Sequence, residues 1–221
     1  MKTQFLPLEI SPSIGNISAE CIVPEKSKCI ITLAHGAGAG MNHSFMITLA
    51  QSLAEEGVAT MRFNFPFTEN KKGRPDPPAV AHKTIEMAIS KAKELFPKLP
   101  LFVAGKSFGG RMSSQYLSVH SDAAVRGIIF YGFPLHPQGK PSTERAEHLK
   151  GVKIPMLFLQ GTKDELASWN LIELVCSSLP LAKLVKIEGA NHAFKAGKQD
   201  IIKLLTHETK EWIEIMIKKV V

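Results

Sequence analysis

Ser107 stands in the run VAGKSFGGRM, residues 103–112, with Gly105 two places before it and Gly109 two places after. A serine hydroxyl is a poor nucleophile at neutral pH; it needs a base, and the base needs an acid to orient it. Small residues on both sides let the chain reverse sharply, so that the hydroxyl stands at the apex of a strand-to-helix turn. Such turns are followed along the chain by an acid and then a histidine. Here FLQGTKDE supplies Asp164, with its neighbour Glu165 as the other candidate acid, and GANHAF supplies His192. Those three types in that order point to acyl transfer. Ser107 attacks an ester or thioester carbonyl, His192 accepts its proton, and the carboxylate fixes the imidazole tautomer.

Two other chemistries share some of these letters. Gly105-Lys106-Ser107 imitates the end of a phosphate-binding loop, but that loop opens on a glycine five residues before its second one, where Pro100 stands, and LFVA is apolar strand material up to Gly105. HGAGAG, residues 35–40, imitates a dinucleotide-binding turn, but its third glycine falls on Met41. No nucleotide or other cofactor is expected. Acyl transfer also needs N–H donors where negative charge develops. Phe108, next after the serine, and Ala37, in the HGAGAG loop, are the expected oxyanion-hole donors, and His35 is read as pinning that loop through its ring nitrogens.

Periodicity supplies the elements that must position these residues. Residues 4–10 and 17–23, joined by a turn cluster, predict a leading hairpin. The runs CIITLAHG, VATMRFNF, LPLFVAG, VRGIIFYG, IPMLFLQG and AKLVKIEG read as buried strands. Between them, helical spacing is expected near residues 43–57, 79–96, 107–120 and 165–179. A last helix is expected over about 198–219, with Ile201, Leu204, Leu205, Trp212, Ile215 and Met216 inward. Alternating strands and helices imply an α/β fold: a mostly parallel sheet, helices on both faces and the hairpin at one edge. Ser107, Asp164 and His192 each follow a strand carboxyl end, where such sheets bind ligands.

Composition narrows the class. With 221 residues, 44% apolar and 21% charged, the chain is expected to form a single domain over residues 1–221. The N-terminus lacks an apolar signal core and no run approaches a membrane span, so cytoplasm is the expected compartment, with no membrane partner. Cys21, Cys29 and Cys176 match no zinc spacing and are expected to be reduced and buried; no metal is expected. The net charge of +7 is spread over both halves without an aromatic-interleaved stripe, so no nucleic-acid partner is expected.

The motifs LAHGAGAG, RFNFPF, GKSFGGR, FYGFPLHPQGKP, ERAEHL, FLQGTKD and GANHAF together resemble the small dienelactone-hydrolase-like α/β-hydrolases. The resemblance is nearest to the branch containing the hydrolase-like domain of subunit 3 of the non-specific-lethal acetyltransferase complex and its bacterial relatives, and it covers residues 20–215. It implies an α/β-hydrolase fold without a large lid, a serine nucleophile in place of the cysteine of dienelactone hydrolases proper, and Ser107, Asp164 and His192 as the triad. Glu165 departs from the proline often found after the acid in relatives, and Asn191 from the acidic or glycine residue often found before the histidine. The branch also includes assembly subunits, so a catalytically inactive scaffold on the same fold is the alternative. The expected partner is a small acyl substrate, with homodimerisation left open. Gly36, Gly38, Met41, Phe65, Phe133 and His136 are expected to line its pocket. The loop carrying Lys140 and Arg145 should overhang Ser107, and another loop offers Asn64, Lys71, Lys72 and Arg74, either as contacts for a polar part of the substrate or as charges of solvated loops.

Overall fold

The computed structural model describes residues 1–218. Among the described residues eight strands form one sheet: β1 (Lys2–Ser11), β2 (Gly15–Val23), β3 (Cys29–Ala34), β4 (Val58–Phe63), β5 (Leu101–Lys106), β6 (Val125–Tyr131), β7 (Met156–Gly161) and β8 (Ala182–Ile187). Their spatial order is β1-β2-β4-β3-β5-β6-β7-β8. The pairs β1·β2 and β2·β4 are antiparallel and the rest are parallel. Parallel neighbours cannot be joined by tight turns, so helices carry the chain back across the sheet. These are α1 (Ser44–Glu55), the single turn α2 (Pro66–Glu69), α3 (Pro78–Leu95), α4 (Phe108–Val119), α5 (Trp169–Ser177) and α6 (Ile201–Lys218), with a 3-10 helix over Glu144–Gly151.

The continuous apolar runs follow from burial on both faces. Every residue of β3, β4 and β7 is buried, and side chains alternate between two cores. Ile31, Leu33, Phe102 and Ile129 pack beneath α1 and α6, whereas Ile30, Val103, Ile128 and Phe130 pack beneath α3, α4 and α5. The hairpin closes one edge, where β2 pairs with β4.

The differences from the sequence reading are local. The stretch 66–78 contains α2, started by Pro66 at its first position, where only a loop was expected. Helix α5 starts at Trp169 rather than Glu165 because residues 165–168 form a turn in which Leu166 N bonds to the Asp164 carboxylate, Ala167 N to Asp164 O and Ser168 N to His136. In α6, Ile215 is exposed, and the buried face carries Leu205, Thr206, Thr209, Trp212 and Ile213. At about 100° per residue, the two threonines turn the buried face away from Ile215, while Leu204 and Met216 lie partly buried against the same core. They are buried because they have partners: Tyr131 Oη lies 2.9 Å from Thr209 Oγ1, and Thr206 Oγ1 donates to Ser52 Oγ at 2.9 Å. Lys219, the expected end of this helix, lies outside the described residues.

Candidate active site

The turn from β5 into α4 is as tight as its glycines imply. A Cβ on Gly105 would lie 2.2 Å from Gly110 N, and one on Gly109 would lie 2.6 Å from the carbonyl oxygens of Ala34 and His35. Backbone passes backbone at both points, so no side chain fits. At the apex Ser107 has φ 51° and ψ −114°, a left-handed conformation costly for a residue with a Cβ and held by the packing around it.

Side chains from three loops meet at this apex. His192 Nε2 lies 2.8 Å from Ser107 Oγ, and its Nδ1 lies 2.8 Å from Asp164 Oδ2 and 3.0 Å from Oδ1. The Asp164 side chain is 1% exposed. Its remaining lone pairs accept from Gln160 Nε2 at 2.7 Å and Leu166 N at 2.8 Å. Gln160 in turn accepts from Phe133 N–H at 2.8 Å, so the carboxylate is oriented by a buried polar network with a partner at each point. Of the two candidate acids, Asp164 faces the imidazole. The Glu165 carboxylate instead accepts the main-chain N–H of His192 at 3.2 Å.

The HGAGAG loop lies across the apex, with Gly36 placed so that its Cβ would sit 3.7 Å from that of Ser107. His35 fixes this loop: Nδ1 donates to Gly36 O at 2.7 Å and Nε2 accepts from Phe65 N–H at 2.9 Å. Burial pushes its imidazole down to about 4, so the ring is neutral, with the proton on Nδ1. Met41 is tied at both ends of its peptide, by Asn64 Oδ1 at 2.9 Å and by Arg62 Nη1 at 2.6 Å. Arg62 also pairs with Glu20 of the hairpin. Among the described residues the N–H groups of Ala37 and Phe108 have no hydrogen-bond partner; Phe108 opens α4, where helical N–H groups have none within the helix.

A cavity of about 420 Å³ opens beside Ser107 and His192. Gly36, Ala37 and Gly38 line it, whereas Met41, Phe65, Phe133 and His136 do not. Each of the four is buried in supporting structure. Phe65 packs edge-on against His35 and Phe108, Phe133 against Phe130 and Phe158, and Met41 anchors the loop from behind. His136 is bonded through Nδ1 to Pro137 O and through Nε2 to Ser168 N, both at 2.9 Å, joining the loop after β6 to the acid loop. Asn64, Lys71, Lys72, Arg74, Lys140 and Arg145 are likewise absent from the lining. Phe45 and Met46 of α1, Leu166 and Lys106 take their place. For Phe45 and Met46 the signal was topological, since α1 begins shortly after the glycine loop and must flank whatever that loop contacts. Among the described residues no three His, Cys, Asp or Glu side chains gather as metal ligands, and no helix is long and apolar enough to cross a membrane.

Known proteins match at the level of fold and family. An α/β serine hydrolase homologue from Coxiella burnetii superimposes with a TM-score of 0.76 at 22% identity, covering 94% of this chain and 98% of that one. Dienelactone hydrolase from Anabaena variabilis gives a TM-score of 0.75 at 18% identity over 97% and 98% of the two chains. A serine hydrolase without a lid from Xanthomonas campestris gives 0.74 at 21% identity over 96% and 95%. At such identities the likeness concerns the fold. The family model of the alpha/beta hydrolase domain matches residues 27–218, most of the sequence. The chain belongs to the alpha/beta hydrolase domain family.

Proposed function

We propose that the protein is a serine hydrolase that cleaves a small ester or thioester through a covalent acyl-enzyme. The observation that carries this reading is the pair of contacts through one imidazole, Nε2 to Ser107 Oγ and Nδ1 to Asp164 Oδ2, both 2.8 Å. His192 takes the Ser107 proton at Nε2 as Oγ bonds to the carbonyl carbon. Negative charge then rests on the former carbonyl oxygen, and the free N–H groups of Ala37 and Phe108 are its donors. As the bond to the leaving group breaks, Nε2 returns the proton to the departing oxygen or sulfur. Water repeats the sequence: His192 takes a proton from it, hydroxide adds to the acyl carbon, and Ser107 leaves with its proton restored. Asp164 holds the proton of His192 on Nδ1 throughout. The strained φ of Ser107 supports this reading, because a side chain is kept at such a cost where its exposure matters.

On its motifs, the chain is placed with the dienelactone-hydrolase-like members, in the branch of the non-specific-lethal complex subunit. A purely scaffolding role would leave the aligned hydrogen bonds and the strained serine without a purpose. Ser107→Ala tests the proposal: turnover of p-nitrophenyl acetate should fall to background, and labelling by a fluorophosphonate probe should disappear. Undiminished turnover in the variant would refute it.

A further inference from the structure

His192 stands on the connection between β8 and α6, where neither strand nor helix fixes its backbone. From 191 to 195 this segment hydrogen-bonds mainly to itself: Asn191 N to Lys195 O, Phe194 N to Asn191 O, and Lys195 N to Asn191 Oδ1. Two outside groups take hold of the His192 main chain. Lys106 Nζ donates to His192 O at 2.7 Å, and Glu165 Oε2 accepts His192 N–H at 3.2 Å. Lys106 immediately precedes Ser107 and Glu165 immediately follows Asp164, so the base is held by the neighbours of its two side-chain partners.

Resting on the acyl-transfer reading of Ser107, Asp164 and His192, we propose that Lys106 and Glu165 are positioning residues that clamp the His192 peptide and so hold Nε2 in reach of Oγ. Three features support this assignment. Lys106 Nζ, Asp164 Oδ2 and His192 Nδ1 gather over Gly132, where a Cβ would lie 3.3, 3.5 and 3.6 Å from them. The ammonium also sits 5.2 Å from the centroid of the Phe194 ring, so it steadies the same segment by a cation–π contact. Third, the ammonium is held there against a cost: burial, opposed by Asp164 and Glu165, pushes it down to about 8. An aliphatic side chain of similar length would avoid that cost, and the retained charge needs a functional reason. The facing charged or titratable groups are Asp164 and Glu165 from the loop after β7 and His192 from the loop after β8. Glu165 fits the same logic, because its side-chain oxygen accepts the His192 N–H, for which an apolar side chain there would offer no acceptor.

The test compares wild type, Lys106→Met, Glu165→Ala, Glu165→Gln and Ser107→Ala on p-nitrophenyl acetate, with thermal melts of each. Misplacing a base by about 1 Å costs up to roughly 100-fold, so Lys106→Met should lower kcat by about tenfold or more with KM within about twofold. Its melting temperature should stay close to that of wild type, because removal of a desolvated cation offsets the lost contacts to His192 O and Phe194. Glu165→Ala should lose kcat in part, and Glu165→Gln, which keeps an acceptor, should restore most of it. An unchanged kcat in Lys106→Met, a rise in KM alone, or a fall in melting temperature parallel to activity would each overturn the clamp. In those cases a dead Ser107→Ala leaves the acyl-transfer reading standing, whereas an active Ser107→Ala removes the reading itself.

Discussion

Both ring nitrogens of His35 are committed to main chain, one donating and one accepting. A second proton would set Nε2–H against Phe65 N–H inside a buried loop. The unfolded chain accepts that proton near the ordinary 6.5, whereas the folded chain resists it until about 4. The resulting stabilisation is fully present above pH 6.5, shrinks as the pH falls, and is gone below about 4, a span worth about 3 kcal/mol. Urea unfolding at pH 7 and pH 4 should therefore show a loss in wild type that His35→Gln reduces by roughly that amount; equal losses in the two proteins would refute the account. At this scale the sequence was legible where a residue's type, its order and its place after a strand coincide, as for Ser107, Asp164 and His192. Lys106 was hidden because its letter imitates a phosphate loop, while its contact is with a main-chain oxygen 86 residues away.

The glycine loop after β3 owes its shape to elements on either side of it. Arg62 on β4 reaches Met41 O, and its other nitrogen meets Glu20 on β2; both side chains are under a tenth exposed. The N-terminal hairpin thus holds the loop that approaches Ser107 through one buried ion pair. Removing one member leaves the other charge buried and unpaired, so Arg62→Met should lower unfolding stability by about 3–5 kcal/mol. Replacing both, as Glu20→Leu with Arg62→Met, should recover most of that stability and not the activity, since Met41 O still lacks its donor. Calorimetry alongside esterase assays separates the two effects, and recovery of both together would show that the pair serves stability alone. The strands, though not their spatial order, were readable from apolar runs and glycine stops. The inward face of α6 was less so, because counting apolar residues passes over Thr206 and Thr209, whose hydroxyls bond to Ser52 and Tyr131. Pocket-lining residues were harder still. Phe65 and Phe133 are apolar and stand just after β4 and β6, a place that suits a cavity wall and a supporting layer equally; only tertiary packing separates the two.

Across the whole molecule, the strands deliver Ser107, Asp164 and His192 to one rim, and on the proposed function what lies over that rim decides which substrates enter. Between β6 and β7 the chain forms only the 3-10 helix Glu144–Gly151, and Ala146 and Leu149 from that helix join the core beneath α4. The loop after β6 is drawn the same way, with His136 N–H bonded to Leu166 O and its ring to Ser168. The segment that could have covered the site is therefore fastened down beside it. The cavity of about 420 Å³ is walled by Phe45, Met46, Leu166 and the alanines of the glycine loop. On the proposed acyl transfer it would suit a short acyl group, each methylene held there adding about 1–3 kcal/mol of discrimination. Longer chains would extend into water and gain nothing, or meet the wall of α1. A panel of p-nitrophenyl esters should thus show kcat/KM peaking at acetate to butyrate and falling by about tenfold or more at laurate. Met46→Ala, which removes wall volume where α1 meets the cavity, should move the optimum toward longer chains while leaving the acetate rate nearly as it was. An optimum at laurate in wild type would mean that apolar surface outside this cavity binds the chain, and the size argument would then fail even with Ser107 as nucleophile.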